Sequence, residues 1–191
     1  ASVEKSLQNG EFMIYLQPKV RLDDCRIAGA EALIRWRHPQ KGLLSPDMFI
    51  PAAEQYRVVG QLDLFVFEQV CRVLSRWKQE GKELFPISVN LSRQNLETLD
   101  FLDDYSAICR QHEVSPSLIE FELTETIMFE NPQGVKSVID EIHKLGFQCS
   151  LDDFGTGFSS LGLLNDLYVD AIKLDRSFFY GKNNNRQGPY I

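Results

Sequence analysis

Predicted strands and helices alternate along most of this 191-residue chain, and this alternation constrains the fold more than any other feature. Six apolar runs have the length and composition of buried strands, at residues 12–20, 26–35, 85–91, 118–123, 147–151 and 169–174. Helical patterns occupy residues 61–79, 101–111, 133–145 and 159–164. Such alternation predicts a mostly parallel α/β sheet covered by helices. Only a tight turn at Asp23 and Asp24 separates the first two strands, so we expect that pair to be antiparallel.

Composition and charge are those of an ordinary soluble globular domain. Hydrophobic residues make up 43% and charged residues 25% of the sequence, and we expect Met48, Phe65 and Trp77 in its core. The net charge of −7 argues against a general DNA- or RNA-binding protein, which usually presents a basic face. No segment resembles a signal peptide or a transmembrane span, and the scattered cysteines form no C-x-x-C pair. We therefore expect a cytoplasmic domain that contacts no membrane, although a longer parent protein could be membrane-tethered.

Two adjacent carboxylates, Asp152 and Asp153, stand where a predicted buried strand runs into a glycine-rich turn. A buried, unpaired carboxylate costs several kcal/mol or shifts its pKa until it is neutral. A divalent cation bound to both aspartates would remove that penalty. A solvated Asp-Asp turn before a helix explains the same residues, so this motif alone leaves both interpretations open.

Polar side chains also follow the other predicted strands. In a β/α barrel the carboxyl ends of the strands converge on one rim, where active sites lie. Each side chain alone has a simpler explanation, such as a surface salt bridge, a helix cap or a solvated turn. Their joint occurrence predicts an all-oxygen ligand set that favours Mg²⁺ or Mn²⁺ over zinc. The predicted ligands are Glu31, Asn90, Glu122, Asp152 and Asp153, and His38, His112 and His143 are expected to lie away from them.

Several short motifs, in order along residues 12–178, resemble those of EAL domains, the phosphodiesterases of cyclic di-GMP. The triplet EAL stands at residues 31–33 and is followed by IRW at 34–36. The other matching segments are QP at 17–18, FIPAAE at 49–54, SVNLS at 88–92, ELTE at 122–125, DDFGTGFSS at 152–160 and IKLD at 172–175.

The resemblance implies a fold, a reaction and a set of partners. The fold is a modified TIM barrel with an antiparallel first strand. The reaction is the metal-dependent hydrolysis of c-di-GMP to linear pGpG, which lowers this second messenger in bacterial signalling. The resemblance further implies two Mg²⁺ or Mn²⁺ ions per site, a homodimer, and an upstream GGDEF or sensory domain in the parent protein. Ca²⁺ could bind the same oxygens and inhibit, because it is larger and tolerates looser geometry.

The resemblance also implies a role for individual residues of this sequence. Glu31, Asn90, Glu122 and Asp152 would hold the first metal ion, and Asp152 and Asp153 the second. Lys173 would position the attacking water or hydroxide, with Asp153 and Glu31 completing the catalytic group. The remaining implied roles are substrate binding by Gln17, Leu33 and Arg35 and support by Glu125 of the loop that begins at Asp153.

The sequence departs from the family pattern at its C-terminal end, where the last two strand-helix units of an EAL domain are missing. Residues 12–191 are therefore expected to be a partial EAL-type phosphodiesterase domain, and residues 1–11 a linker helix from a missing upstream domain. The chain could be part of a longer protein, which we favour, a barrel completed by a partner, or a deliberate fragment. An inactive EAL domain that acts as a c-di-GMP receptor or a regulatory interaction module remains the alternative to the enzyme.

Overall fold

The computed structural model describes residues 3–97, 101–155 and 167–179. Its strands are β1 (Phe12–Val20), β2 (Ile27–His38), β3 (Gly42–Leu44), β4 (Ile87–Asn90), β5 (Ile119–Thr124), β6 (Gln148–Phe154) and β7 (Ala171–Leu174). Its α-helices are α1 (Val3–Gln8), α2 (Ile50–Gln55), α3 (Val59–Gln79), α4 (Phe101–Gln111), α5 (Glu125–Glu130), α6 (Pro132–Lys144) and α7 (Arg176–Phe179). Short 3-10 helices span Pro46–Met48, Arg93–Glu97 and Pro116–Leu118.

The strands form one mixed sheet in the order β1-β2-β4-β5-β6-β7. The short strand β3 pairs with the C-terminal end of β2, on the side away from β1. β1 runs antiparallel to β2, as the short Asp23-Asp24 link predicts. β3 is also antiparallel to β2, whereas β2, β4, β5, β6 and β7 pair with one another in parallel. The carboxyl ends of β2, β4, β5, β6 and β7 therefore lie at one end of the sheet, where the sequence places its polar side chains.

The two faces of the sheet differ in polarity because successive side chains of a strand point to opposite sides. In β2, Ala30, Ala32 and Ile34 are buried in the core between the sheet and the helices. Glu31 and Leu33 alternate with them and so lie on the opposite, inner face, the concave surface of the barrel-like sheet. This alternation makes one face apolar and leaves the other free for polar groups.

Helix α3 anchors the helical layer to the apolar face. It buries Val66, Phe67, Val70 and Leu74, three and four residues apart, as expected of one helical face. The ring of Phe67 packs edge-on to Tyr105 of α4, with centroids 4.4 Å apart, and lies 5.8 Å from the stacked ring of Phe121 in β5. One aromatic cluster thus joins two helices to the central strand of the sheet.

The structure confirms the predicted alternation and corrects its details. The described part of the chain contains seven strands where six are predicted, because the three-residue β3 is too short to give a periodic pattern. β2 continues to His38 and β6 to Phe154, beyond their predicted ends. Helix α5 begins at Glu125, where the sequence predicts no helix. Met48 is 67% exposed and not in the core, whereas Phe65 and Trp77 pack against the core. The predicted helix at 159–164, residues 156–160 of the loop and residues 180–191 lie outside the described residues.

Two further observations bear on the expectations from the sequence. Helix α1 packs Val3 and Leu7 against the core, so part of the predicted linker segment is helical and attached to the sheet domain. None of the described helices combines the length and the apolar composition that crossing a membrane requires.

Candidate active site

Three carboxylates converge at the carboxyl end of the sheet. Glu31 comes from β2, Glu122 from β5 and Asp152 from β6, and each offers an oxygen within 4.8 Å of the others. The Nζ atom of Lys173, on β7, lies between them at 3.0 Å from Glu31, 2.8 Å from Glu122 and 2.8 Å from Asp152. Four strands thus build an acidic cluster around one positive charge, from residues that the sequence analysis expects at a single rim.

The lysines and the carboxylates of this cluster stabilise each other's charged forms. Burial disfavours ionisation of Glu122, but the hydrogen bond from Lys173 and the charges of Lys173 and Lys19 outweigh it and lower the pKa of Glu122. Burial also disfavours the charged form of Lys173, and hydrogen bonds to Asp152 and Glu122 reverse that effect and raise the pKa of Lys173. These contacts therefore favour the carboxylate form of Glu122 and the ammonium form of Lys173, even though the side chain of Glu122 has no solvent exposure.

Asn90 joins the cluster from β4. Its Nδ2 donates a hydrogen bond to Oε1 of Glu31 at 3.3 Å. The next residue, Leu91, donates its N–H to the carbonyl of Glu122 at 3.0 Å, which fixes the end of β4 against β5. The structure therefore brings the predicted ligand Asn90 beside the three carboxylates.

A β-bulge interrupts β6 at Asp153, the residue after Asp152. In a regular strand these neighbours would point to opposite faces. The pairing of β6 with β7 shifts register between Leu151 and Phe154, and Asp153 adopts a left-handed φ of 56°, which Asp tolerates better than most residues. Burial, followed by the charges of Asp152 and Asp175, raises the pKa of Asp153. The oxygens of Asp153 lie outside the group of three carboxylates, but its charge acts on the same cluster.

The residues that the resemblance assigns to substrate lie on β1 and β2 along the face that carries Glu31. Gln17 is exposed and stands directly opposite Glu31 in the antiparallel pair, and Leu33 stands opposite Tyr15. Arg35 donates to the carbonyl of Ile34 at 2.8 Å, and its guanidinium lies 5.7 Å from the centroid of the Tyr15 ring. Gln17, Leu33 and Arg35 thus form a row that leads away from the acidic cluster.

Glu125 supports the turn that follows the paired aspartates. It is the first residue of α5, is almost fully buried, and accepts a hydrogen bond from the N–H of Gly155 at 3.0 Å. This contact ties β6 to the neighbouring strand-helix unit immediately after the bulge. Glu122 and Glu125 are both almost fully buried, so neither lies on a solvated turn.

The sequence interpretation missed Lys19. Its Nζ lies 3.0 Å from Oε1 of Glu122 and 3.2 Å from Oε1 of Glu120, on the inner face of the sheet. The two-residue period of a strand places Lys19 on the same face as Gln17 but gives no sign of its partners Glu120 and Glu122. The histidines lie elsewhere, as predicted: His38 accepts backbone N–H bonds within its own turn, and His143 contacts Asp170.

Comparisons with known proteins agree with this geometry. The family model described as "EAL domain" matches residues 1–189. The chain is 36% identical over 176 residues to the cyclic di-GMP phosphodiesterase NbdA of Pseudomonas aeruginosa. The aligned region covers 92% of this chain but only 22% of NbdA. The chain therefore spans less than a quarter of the length of that relative.

Two solved structures share the fold. The structure of the PaMucR phosphodiesterase in complex with c-di-GMP superposes with a TM-score of 0.87 at 31% identity, over 93% of this chain and 72% of that chain. The EAL enzyme Bd1971, with cAMP and cyclic di-GMP bound, gives a TM-score of 0.83 at 32% identity, over 93% of this chain and 49% of that one. These superpositions confirm the predicted TIM-barrel-like fold with its antiparallel first strand. Over the described residues the sheet does not close into a full barrel.

Proposed function

We propose that this chain, which belongs to the EAL domain family, binds cyclic di-GMP at the carboxyl end of its sheet and hydrolyses it to linear pGpG with the help of divalent cations. The observation that carries the proposal is the convergence of Glu31, Glu122 and Asp152, from three separate strands, within 4.8 Å. The names of the relatives support the substrate, since NbdA and PaMucR are both described as phosphodiesterases and PaMucR was solved with c-di-GMP.

The residues present fit a divalent cation. Three carboxylates would repel one another strongly without a positive charge among them, and the site already holds the ammonium of Lys173 there. All the donors are oxygens, which Mg²⁺ and Mn²⁺ prefer. Glu31, Glu122 and Asp152, with Asn90 beside them, would hold one ion, and Asp153 beside Asp152 supports a second. A bound ion would supply positive charge that stabilises the phosphoryl group in the transition state.

The side chains of the chain would bind the substrate and orient the reaction. Arg35 would hold a substrate phosphate, and Gln17 and Leu33 would line the site of one guanine. Lys173 keeps its proton, because its carboxylate partners raise its pKa, and would orient the attacking water by donating to it. In the reaction the water oxygen bonds to phosphorus, the bond from phosphorus to the ribose 3′ oxygen breaks, and that oxygen takes up a proton.

We extend the proposal to the wider protein. Residues 12–191 would form the phosphodiesterase unit, preceded by a linking helix and an upstream GGDEF or sensory domain, and two copies would form a homodimer. The extra length of NbdA, of which this chain covers 22%, supports additional domains in such proteins. Ca²⁺ would bind the same oxygens and inhibit, because it tolerates looser geometry than Mg²⁺.

Product analysis tests the proposal. The purified protein is incubated with c-di-GMP and Mg²⁺ or Mn²⁺, and the products are separated by chromatography. We expect pGpG, and a loss of at least about 100-fold in rate for Asp152→Asn, which removes one ligand charge. Asp104→Asn on the exposed face of α4 is the matched control and should retain the rate. Retained c-di-GMP binding without pGpG would establish the receptor alternative.

A further inference from the structure

Glu122 is held by two lysines, one on each oxygen of its carboxylate. Lys173 of β7 takes Oε2 at 2.8 Å, together with Glu31 and Asp152. Lys19 reaches Oε1 from β1 on the other side, at 3.0 Å. The two ammonium groups therefore divide the carboxylate into one oxygen that faces the acidic cluster and one that faces away from it.

The burial of the partners makes the Lys19 contact different from a surface salt bridge. The side chain of Glu122 has no exposure, whereas that of Lys19 is 31% exposed. An unpaired charge at the position of Glu122 would be strongly destabilising, because water cannot solvate it. Lys19 stays partly hydrated and so loses less solvation on pairing. The contact stabilises a fully buried carboxylate at a small desolvation cost to the lysine.

The position of Lys19 also separates its role from that of Lys173. A cation bound by Glu31, Glu122 and Asp152 would compete with Lys173 for the oxygens that Lys173 now contacts. Lys19 binds the opposite oxygen of Glu122 and one oxygen of Glu120, at 3.2 Å, so its contacts do not compete with the ion. It is able to keep its contacts whether or not an ion is bound.

We propose that Lys19 is the resident counter-ion of this cluster: it neutralises Glu122 from the side of β1 and lets the site exchange a divalent cation without loss of the fold. The part of the proposal that concerns the cation rests on the proposed function. The part that concerns the charge of Glu122 depends on the ion pairs alone.

The test compares thermal unfolding with and without an ion. Lys19→Met keeps the aliphatic stem and removes the ammonium. With EDTA we expect its Tm to fall by about 5–10 °C, since a buried carboxylate loses a partner. With saturating Mn²⁺ we expect most of that loss to be recovered, because the ion supplies the missing charge. Titration of Mn²⁺ followed by electron paramagnetic resonance should give a dissociation constant no weaker than that of the wild type, because a repelling charge has been removed.

Two further variants serve as controls. Lys19→Arg restores the charge and should restore the wild-type Tm in EDTA. Lys144→Met removes an exposed ammonium from an ion pair with Glu141 and should change Tm little in either condition.

Each outcome for Lys19→Met decides the proposal. An unchanged Tm in EDTA, an equal loss with and without Mn²⁺, or a failure to fold even with Mn²⁺ would each overturn it. If the wild type itself binds no Mn²⁺, the metal site of the proposed function fails, while the Tm in EDTA still reports on Lys19 and Glu122.

Discussion

Asp63 shows how a single side chain of α3 fixes the segment that follows Asn90. Its Oδ2 accepts the N–H of Ser92 at 2.9 Å and the Nδ2 of Asn95 at 2.7 Å. Burial raises the pKa of Asp63 to about 6, even though the hydrogen bonds from Ser92 and Asn95 act in the opposite direction. The carboxylate thus positions the end of β4 at an energetic cost that depends on pH.

The pH dependence of stability tests this conclusion. The pKa of Asp63 is higher in the folded state, at about 6, than the ordinary value of 3.8. Its contribution to the free energy of unfolding is therefore full below about pH 4 and is lost as the pH rises through 6. Between pH 4 and 7 we expect the stability of the wild type relative to Asp63→Asn to fall by at most about 3 kcal/mol, measured by urea unfolding. A constant difference between the two proteins would contradict the raised pKa.

At the scale of elements, the sequence predicts regular pieces well and local irregularities poorly. Helix α4 has the predicted bounds, because its apolar spacing and its ends are both visible in the sequence. The bulge in β6 is not visible in this way, since the left-handed φ of Asp153 depends on pairing with β7 and on the contact between Glu125 and Gly155. Tertiary contacts of this kind determine the geometry of the paired aspartates.

The contact between α5 and the turn after β6 gives a prediction at this scale. Glu125→Ala removes the acceptor of the Gly155 N–H, so we expect faster hydrogen exchange of that amide and a loss of the proposed c-di-GMP hydrolysis. Glu125→Gln keeps an oxygen that accepts the bond, and the protection of Gly155 should remain near that of the wild type. Equal exchange rates at Gly155 in the alanine variant and the wild type would exclude this role.

The docking of α3 on the sheet gives a second prediction at this scale. Phe67 is fully buried between Tyr105 and Phe121, so Phe67→Ala should reduce the free energy of unfolding by about 3–5 kcal/mol through lost burial and a cavity. Tyr56→Ala is the matched control, because Tyr56 is 74% exposed, and it should change stability by less than about 0.5 kcal/mol. Denaturation in urea measures both. A small effect for Phe67 would mean that this aromatic cluster does not anchor α3.

At the scale of the whole molecule, the site exists because the sheet topology brings together residues that lie far apart in sequence. Glu31 on β2 and Lys173 on β7 stand at opposite ends of the series of parallel strands, and only the curvature of the sheet brings them to 3.0 Å from each other. The strand-helix alternation and the motifs predicted this convergence. They did not predict Lys19, because its partner Glu122 becomes a neighbour only when β1 faces β5 across the inner side of the sheet.

The most direct test of the central claim is the location of a bound ion. Crystals grown with Mn²⁺ and measured near the manganese absorption edge give an anomalous difference map that identifies the ion. We predict a peak within about 2.0–2.6 Å of oxygens from Glu31, Glu122 and Asp152. No peak among these carboxylates at saturating Mn²⁺, or a peak only at another place on the surface, would contradict the account.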